Sequence, residues 1–577
     1  MIDRSSDNLL SVGGSSDPLS RRGLLRGAAA LAAVPVLIAA DPALAAAELP
    51  GFPARVALYR SAYRNWAGAI TADGLWACAP RGPEQVLAVV DWAWRAGWRV
   101  RARGRSHGWS PLTITEGTRA DSRVLLVDTA SHLTGLTLES DSAVRAGSGV
   151  TLEALLTFLE GHGLGLTATP APGDLTLGGA LAIDAHGTAV PADGERPPPG
   201  STYGSLSNRV LELTAVVWDA ASRAYVLRTF RRTEADCAAL LTHLGRTFVT
   251  EVVLRVGPDT RLRCVSRTDI PAGELFAAPG SGGRTLEGFL RRSGRVEAIW
   301  FAFTEFPWLK EWSVAPVRPA RSRQVTAPYN YPFSDRVPEP VADLAGRLVT
   351  GAAWYLALEL GAAQLTVASL GLAATDSADL WGPSKNTLLY LRPTTLRVTA
   401  NGYAVHTTRA GVQRVVHEFT RYYRELLAAY AARGRFPVNG SVEIRVTGLD
   451  DPADAGVPGA EAPLLSALRP RADRPEWDTA VWLDVLTLPG TPYAGQFLRE
   501  LERFLLDSYD GGHALARVEW SKGWGYTADA AWSDAEVLGT AVPATFGREV
   551  WTRAVAVLDR LDPHRVFGNA FLDRLLR

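Results

Sequence analysis

The stretch Arg101–Leu112, Arg-Ala-Arg-Gly-Arg-Ser-His-Gly-Trp-Ser-Pro-Leu, constrains the fold of this 577-residue chain more than any other. It comes directly after a helix-then-strand pattern. Pro83 opens an apolar run at helical spacing (Val86, Leu87, Val90, Trp94), Gly97 stops it, and Trp98–Ala102 alternates as a strand does. The strand then opens into a loop in which Gly104 and Gly108 flank Ser106 and His107. Glycines there let the backbone approach a bound group and turn its N–H groups toward an anion. His107 is thereby set against whatever the loop cradles. Taken alone, the same residues also read as a turn that happens to contain a histidine, so the rest of the chain has to decide.

The chain is too long for one core, and two domains are expected. The formal net charge is zero, which gives no reason to expect a nucleic acid partner. Only Lys310, Lys385 and Lys522 are lysines, so each merits scrutiny. The nine histidines make no H-E-x-x-H pattern; His417-Glu418 lacks its second histidine. Cys78, Cys237 and Cys264 form no C-x-x-C, so no metal site is expected and at most one disulfide. Residues 1–47 read as a twin-arginine export signal: Arg21-Arg22 precede an apolar run from Gly27 to Ala40, and Ala43-Leu44-Ala45 offers a cleavage site. An ordinary secretory signal is the alternative. The expected destination is outside the cytoplasm.

From residue 48 to 260 helices and strands alternate, an α+β pattern with short strands. Strands are expected at Val124–Asp128, Ala143–Gly147, Val210–Asp219, Arg223–Arg228 and Thr250–Val256, and helices at Thr151–Leu159 and Glu234–Leu244. No G-x-G-x-x-G lies between a strand and a helix, so the dinucleotide fold of dehydrogenases is not indicated. A second segment rich in small residues, Pro170–Val190, carries Gly173, Gly178, Gly179 and Asp184-Ala185-His186-Gly187. Tyr203–Asn208, which includes Ser207, and Gly245–Val253, which includes Val249, follow in order. These four segments together resemble the FAD-binding domain of the vanillyl-alcohol-oxidase-type (PCMH-type) flavoproteins. That resemblance implies FAD, held by Arg103, Gly104, Arg105, Ser106, His107, Gly108, Gly173, Gly178, Gly179, His186, Gly187, Ser207, Val249 and Asn569. It also implies a covalent link through His107.

After residue 260 the chain is rich in Trp, Phe, Leu and Pro. Gly346–Ala374 reads as one or two buried helices and Val412–Tyr430 as an amphipathic helix. Three strings place charges among apolar residues. Glu305 stands in Trp300–Trp308 among aromatics, where burial would raise its pKa and fit it for proton transfer; an edge strand facing solvent is the alternative. Glu443 and Arg445 are two apart on a strand and so share a face. Lys522 lies between Trp520 and Trp524, where a cation could stabilise negative charge on a reduced flavin.

These strings, with Asp562-Pro563-His564-Arg565-Val566-Phe567 near the end, are similar to the covalent-FAD (class II) bacterial cholesterol oxidases. The resemblance implies an α+β substrate domain at 261–545 and a return to the FAD domain at 546–577. It implies a sterol and O2 as reactants and a transient contact with a lipid surface. By the same resemblance Asp73 would orient His107, Glu305 would be the base of an isomerisation, Glu443 and Arg445 would gate oxygen, and Lys522 would sit by the flavin. Two positions depart from the family pattern: Asp484 stands where an asparagine is usual, and Ala400 where a glutamate is common. A sugar-lactone or alditol oxidase of the same superfamily, or a non-catalytic lipid-binding protein, would be the competing readings.

Overall fold

The structure is a computed structural model that describes residues 49–335, 356–393, 395 and 397–577. The N-terminal signal therefore lies outside the described residues. The first sheet contains β1 (Ala57–Arg64), β2 (Thr71–Ala79), β3 (Arg99–Arg103) and β4 (Val124–Asp128) in the order β1-β2-β4-β3. The helix Pro83–Ala96 crosses from β2 to β3. Proline at its start and Gly97 at φ 69° after its end explain both boundaries. Val86 and Val90 are buried beneath it, with Leu87 and Trp94 packed at the margin.

A second, antiparallel sheet contains β5 (Leu136–Ser140), β6 (Ala143–Gly147), β8 (Val210–Asp219), β9 (Ala224–Arg231) and β10 (Phe248–Arg255), in the order β5-β6-β10-β8-β9. β7 (Leu164–Gly165) comes between β6 and β8, and its partner β11 (Gly257–Pro258) follows β10. The expected helix at Glu234–Leu244 shrinks to Cys237–Leu240. Leu244 and Gly245 both take positive φ, and the Gly245 carbonyl accepts from Arg101 Nη1 at 2.9 Å. The chain leaves its helix early because it turns there to build a cavity wall.

The third sheet has nine strands: β12 (Arg261–Arg267), β13 (Arg295–Phe301), β14 (Trp308–Val314), β15 (Arg323–Gln324), β16 (Asp379–Pro383), β17 (Thr399–Thr407), β18 (Ser441–Gly448), β19 (Thr479–Thr487) and β20 (Leu515–Val518). Their order is β15-β16-β12-β14-β13-β18-β19-β17-β20. Two-residue alternation gives this sheet two different faces. Val296, Ala298, Val442 and Ile444 enter the main core, together with Phe419, Tyr423, Phe497 and Leu501 from the helices Val412–Ala431 and Ala494–Ser508. Glu297, Ile299, Phe301, Glu443 and Arg445 look the other way, into a cavity. The helix Ala357–Ala374 forms part of that cavity's wall; the beginning of the apolar stretch at Gly346 lies outside the described residues.

The C-terminal segment packs against the first two sheets. Asp562 accepts from the Tyr225 hydroxyl at 2.6 Å and from Arg246 at 2.8 Å, and Val100 N donates to Val566 O at 2.8 Å. Cys78, Cys237 and Cys264 are free and buried.

Candidate active site

A cavity of about 980 Å³ runs between the loop after β3 and the third sheet. One wall is mostly backbone and small residues: Gly104 to Gly108, Gly178, Gly179 and Val249, with His186 beside them. The loop lies so close to the second small-residue segment that a Cβ on Gly104 would come 2.0 Å from Thr176 Oγ1. Ser106 holds φ at 57°, a strained value for a residue with a side chain. His107 is fixed on two sides. Trp66 stacks on it with ring centroids 4.5 Å apart, and its Nε2 lies 2.8 Å from Asp174 Oδ2. If Nε2 carries the proton toward Asp174, Nδ1 keeps the free lone pair. The partner of His107 is thus Asp174, not the expected Asp73, which is exposed on β2.

This wall fits a large polar cofactor. Ser148 Oγ and His243 Nε2 are buried in it with no hydrogen-bond partner among the described residues. Burial, then the neighbouring Arg101, holds the His243 pKa down to about 3, so the ring is neutral. Its Nδ1 accepts from Gly245 N at 3.2 Å, which leaves Nε2 as a donor without an acceptor. A ligand in the cavity would supply the acceptor that such a buried donor lacks.

Five expected cofactor residues support this wall from behind and do not line it. Arg103 is drawn away by Asp128, its register neighbour on β4, and by Ser61 Oγ at 2.7 Å. Gly173 packs on Glu153 and Leu389, and Gly187 packs on Thr169. Ser207 Oγ donates to Leu181 O at 2.8 Å. Asn569 caps the last helix and donates to Pro111 O at 2.9 Å, bracing the far end of the loop. Arg103, Ser207 and Asn569 face protein because a buried polar group must find a partner, and these find theirs within the fold; the two glycines allow close packing of neighbouring segments.

The opposite wall is apolar around a charged centre. Ile299, Phe301, Trp308, Phe333, Leu360 and Leu486 supply hydrocarbon and aromatic surface. In the centre Arg445 Nη1 lies 3.2 Å from Glu443 Oε2 and 3.5 Å from Glu297 Oε1, and its Nη2 donates to Asp484 Oδ2. Glu443 and Arg445 do share a face and do pair. Lys522 Nζ also reaches Asp484 Oδ2, at 3.3 Å, and sits 4.6 Å from the centre of the Trp109 ring. On the other side Glu297 Oε2 accepts from the Tyr390 hydroxyl at 2.6 Å and faces Lys310 Nζ at 3.5 Å. Lys310 Nζ is in turn 3.3 Å from the centre of the Tyr390 ring.

Glu305 is not in this group. It is exposed in the turn between β13 and β14, where its backbone carbonyl accepts from Ala272 N at 2.8 Å. Its aromatic neighbours in sequence point inward, while the turn carries Glu305 out to water. On this strand the carboxylate that reaches the cavity is Glu297, eight positions earlier and in step with Ile299 and Phe301. That two-residue alternation was the available signal for it. Lys310 was singled out by rarity alone, and no local pattern announced Asp174 or Tyr390. Of the two departures, Asp484 lies within the charged centre, whereas Ala400 is buried on β17 and its carbonyl accepts from Gly523 N at 2.7 Å.

Burial raises the Glu443 carboxyl against the pull of Arg445. His186 stacks on Trp482, with centroids 3.5 Å apart, and burial followed by the Arg445 charge holds its pKa down to about 3. It therefore adds no cation to the site.

Comparison with known proteins agrees with this geometry. A solved structure titled solvent-stable cholesterol oxidase is 53% identical, covers 92% of this chain and 99% of its own, and superposes with a TM-score of 0.90. Cholesterol oxidase from Brevibacterium sterolicum is 45% identical over 92% of this chain and 99% of its own, with a TM-score of 0.89. Bovine (Bos taurus) L-gulonolactone oxidase is 25% identical over 248 residues, 42% of this chain, and the chain spans about half the length of this curated relative, 49%. The FAD binding domain family matches residues 76–220. Because the family described as cholesterol oxidase, substrate-binding, matches residues 261–577, more than half of its length, the chain belongs to the cholesterol oxidase family of flavoproteins.

Proposed function

We propose that the chain is an exported sterol oxidase. It would oxidise the 3β-hydroxyl of a cholesterol-like steroid, deliver the electrons to O2 as hydrogen peroxide, and move the double bond from the 5-en-3-one to the 4-en-3-one. The observation that carries this reading is a single cavity with a glycine-and-histidine wall on one side and an apolar wall with a charged centre on the other. FAD held by the Gly104–Gly108 loop, Gly178, Gly179, Ser148 and His243 would accept hydride from C3 and pass the electrons to O2.

The chain's own residues do the remaining work. Hydrocarbon and aromatic surface gains from burying a sterol's rings at about 25 cal/mol per Å². Lys522 and Arg445 supply positive charge that favours electron arrival at the cavity wall. Glu297 replaces Glu305 as the carboxylate placed to carry a proton from C4 to C6. Glu443 and Arg445, paired on one strand face, would act as the gate for oxygen. Asp174 holds the His107 ring so that Nδ1 is the atom offered for a covalent tether to FAD.

The helix Ala357–Ala374 supports a contact with a lipid surface. It is long and apolar enough to cross a membrane, exposes Leu358 and Leu370, and lines the cavity with Leu360 and Ala368. Sterol could pass along it without entering water. Export rests on Arg21-Arg22 and the apolar run after them.

The similarity to L-gulonolactone oxidase motivates a second reading, oxidation of a sugar lactone. Such a polyol needs polar partners along its whole length, and this wall gathers its polar groups at one centre with hydrocarbon around it. A peroxide assay with cholesterol, a sugar lactone and an alditol separates the two. Peroxide from cholesterol alone is expected; peroxide from the lactone alone would overturn the sterol reading. Colour that stays on acid-precipitated protein, with the flavin mass on a peptide containing His107, is expected from the tether.

A further inference from the structure

We propose that Asp484 and Glu519 share one proton and form an acid pair on the cavity wall, with Glu519 facing the cavity and Asp484 positioning it from behind. The kinetic consequence drawn below rests on the sterol-oxidase reading; the shared proton does not.

The geometry begins at Gly402. On β17 it is the register partner of Asp484 on β19, and Glu519 N donates to its carbonyl at 3.0 Å. A Cβ on Gly402 would lie 2.6 Å from Asp484 Oδ1 and 2.7 Å from Glu519 Oε2. Both oxygens therefore occupy the space above the glycine. Both are also buried with no donor partner among the described residues. The other two oxygens are engaged: Asp484 Oδ2 accepts from Arg445 and Lys522, and Glu519 Oε1 accepts from Ser521 Oγ at 3.2 Å. Two ionised carboxylates aimed at one buried spot would repel each other, and each would lack a donor. One proton between them removes both costs.

The surrounding charge agrees. Glu297, Glu443, Asp484 and Glu519 are four carboxylates around three cations, Lys310, Arg445 and Lys522. His186 faces the same centre and is neutral. Asp184, which also faces Glu519, is driven toward its protonated form by burial and by Asp450. Burial works to lower Lys310 and to raise Glu443; with both of them charged, one proton on the acid pair balances the centre. Glu519 is the member that takes it, because among the described residues it makes no ion pair within 4.0 Å. Burial, then the Asp484 charge, pushes its pKa up to about 8. Burial also works to raise Asp484, but Lys522 and Arg445 outweigh it and keep that carboxyl ionised.

At neutral pH the pair is loaded with its proton, and the site carries no surplus negative charge when hydride leaves the sterol. Above about 8 the proton is lost and an uncompensated anion stands in the cavity wall. Flavin reduction by sterol should then fall about tenfold for each further pH unit if only the protonated pair is competent.

The test is infrared spectroscopy of the FAD-loaded protein at neutral and at alkaline pH, on wild type, Asp484→Asn and Glu519→Gln. The wild type should show a protonated-carboxyl carbonyl band that is lost at alkaline pH and that shifts when glutamate is carbon-13 labelled. The same band should be missing at neutral pH from Glu519→Gln, which removes the group that carries it, and from Asp484→Asn, where burial still raises Glu519 but the repelling charge is gone and Lys522 and Arg445, released from Asp484, draw Glu519 into its ionised form. Asp184 does not respond to the glutamate label, and the bands of Glu443 and Glu502, which burial also raises, are identified as those that remain in Glu519→Gln. A wild type with no titrating, label-sensitive band overturns the proposal even if neither variant folds, and so does a set of titrating bands unchanged in both variants. Stopped-flow reduction by cholesterol reports separately: an alkaline limb in wild type that is absent from both variants supports the kinetic consequence, and a limb unchanged in both overturns it. Failure to oxidise any sterol, with the infrared band present, would overturn the sterol reading and leave the shared proton standing.

Discussion

The two walls of the cavity are built on different principles. The wall around His107 is backbone and small side chains held by close approach, as where Gly104 meets Thr176. The wall around Arg445 is a network of long charged side chains from β13, β14, β18, β19 and the segment after β20. The first is a matter of shape and leaves no room for added atoms at Gly104 or Gly178. The second is a matter of charge balance and tolerates no unpaired group. A substitution should therefore fail in different ways on the two sides.

The largest effect is expected at Arg445, the cation that three carboxylates of this wall share. Arg445→Ala should destabilise the protein by about 3–5 kcal/mol, because it leaves Asp484, Glu443 and Glu297 buried with too little positive charge. Chemical denaturation of the FAD-loaded protein measures it. Arg445→Lys should recover only part, since an ammonium cannot reproduce the planar fork. Full recovery would mean that net charge alone matters on this wall.

On the other wall Gly104→Ala should cost about 1–3 kcal/mol by overpacking and reduce flavin content. Adding Thr176→Ala removes the Oγ1 atom in the way and should restore much of the bound flavin, read from the visible spectrum. If the double variant is no better, the loop is not limited by shape. Asp174→Ala comes next. It frees the His107 ring, so a larger fraction of flavin should be released by acid while total flavin falls less. Trp66→Ala removes a stacking contact of about 0.5–1.5 kcal/mol and should have the same effect more weakly.

The smallest effect is expected at Glu305. Glu305→Gln should change stability by no more than about 0.5 kcal/mol and leave the ratio of 5-en-3-one to 4-en-3-one as in wild type, because the side chain is exposed. Glu297→Gln should instead accumulate the 5-en-3-one. The reverse result would return the isomerisation base to Glu305.

Sequence alone determined what depends on neighbours along the chain. The helix Pro83–Ala96 with its proline and glycine ends, the strands Val124–Asp128, Ala143–Gly147 and Val210–Asp219, and the loop that presents His107 all follow from local propensity and turn chemistry. So does the pairing of Glu443 with Arg445, because side chains two apart on a strand share a face. Only the tertiary structure decided which residues meet across strands. Asp174 reaches His107 from 67 positions away, and Asp484 meets Glu519 because the register of β17 against β19 sets both over Gly402. The same reason explains Glu305. Aromatic neighbours predict a buried carboxylate only if the backbone turns it inward; here the turn between β13 and β14 faces water, and the strand before it carries Glu297 into the cavity instead.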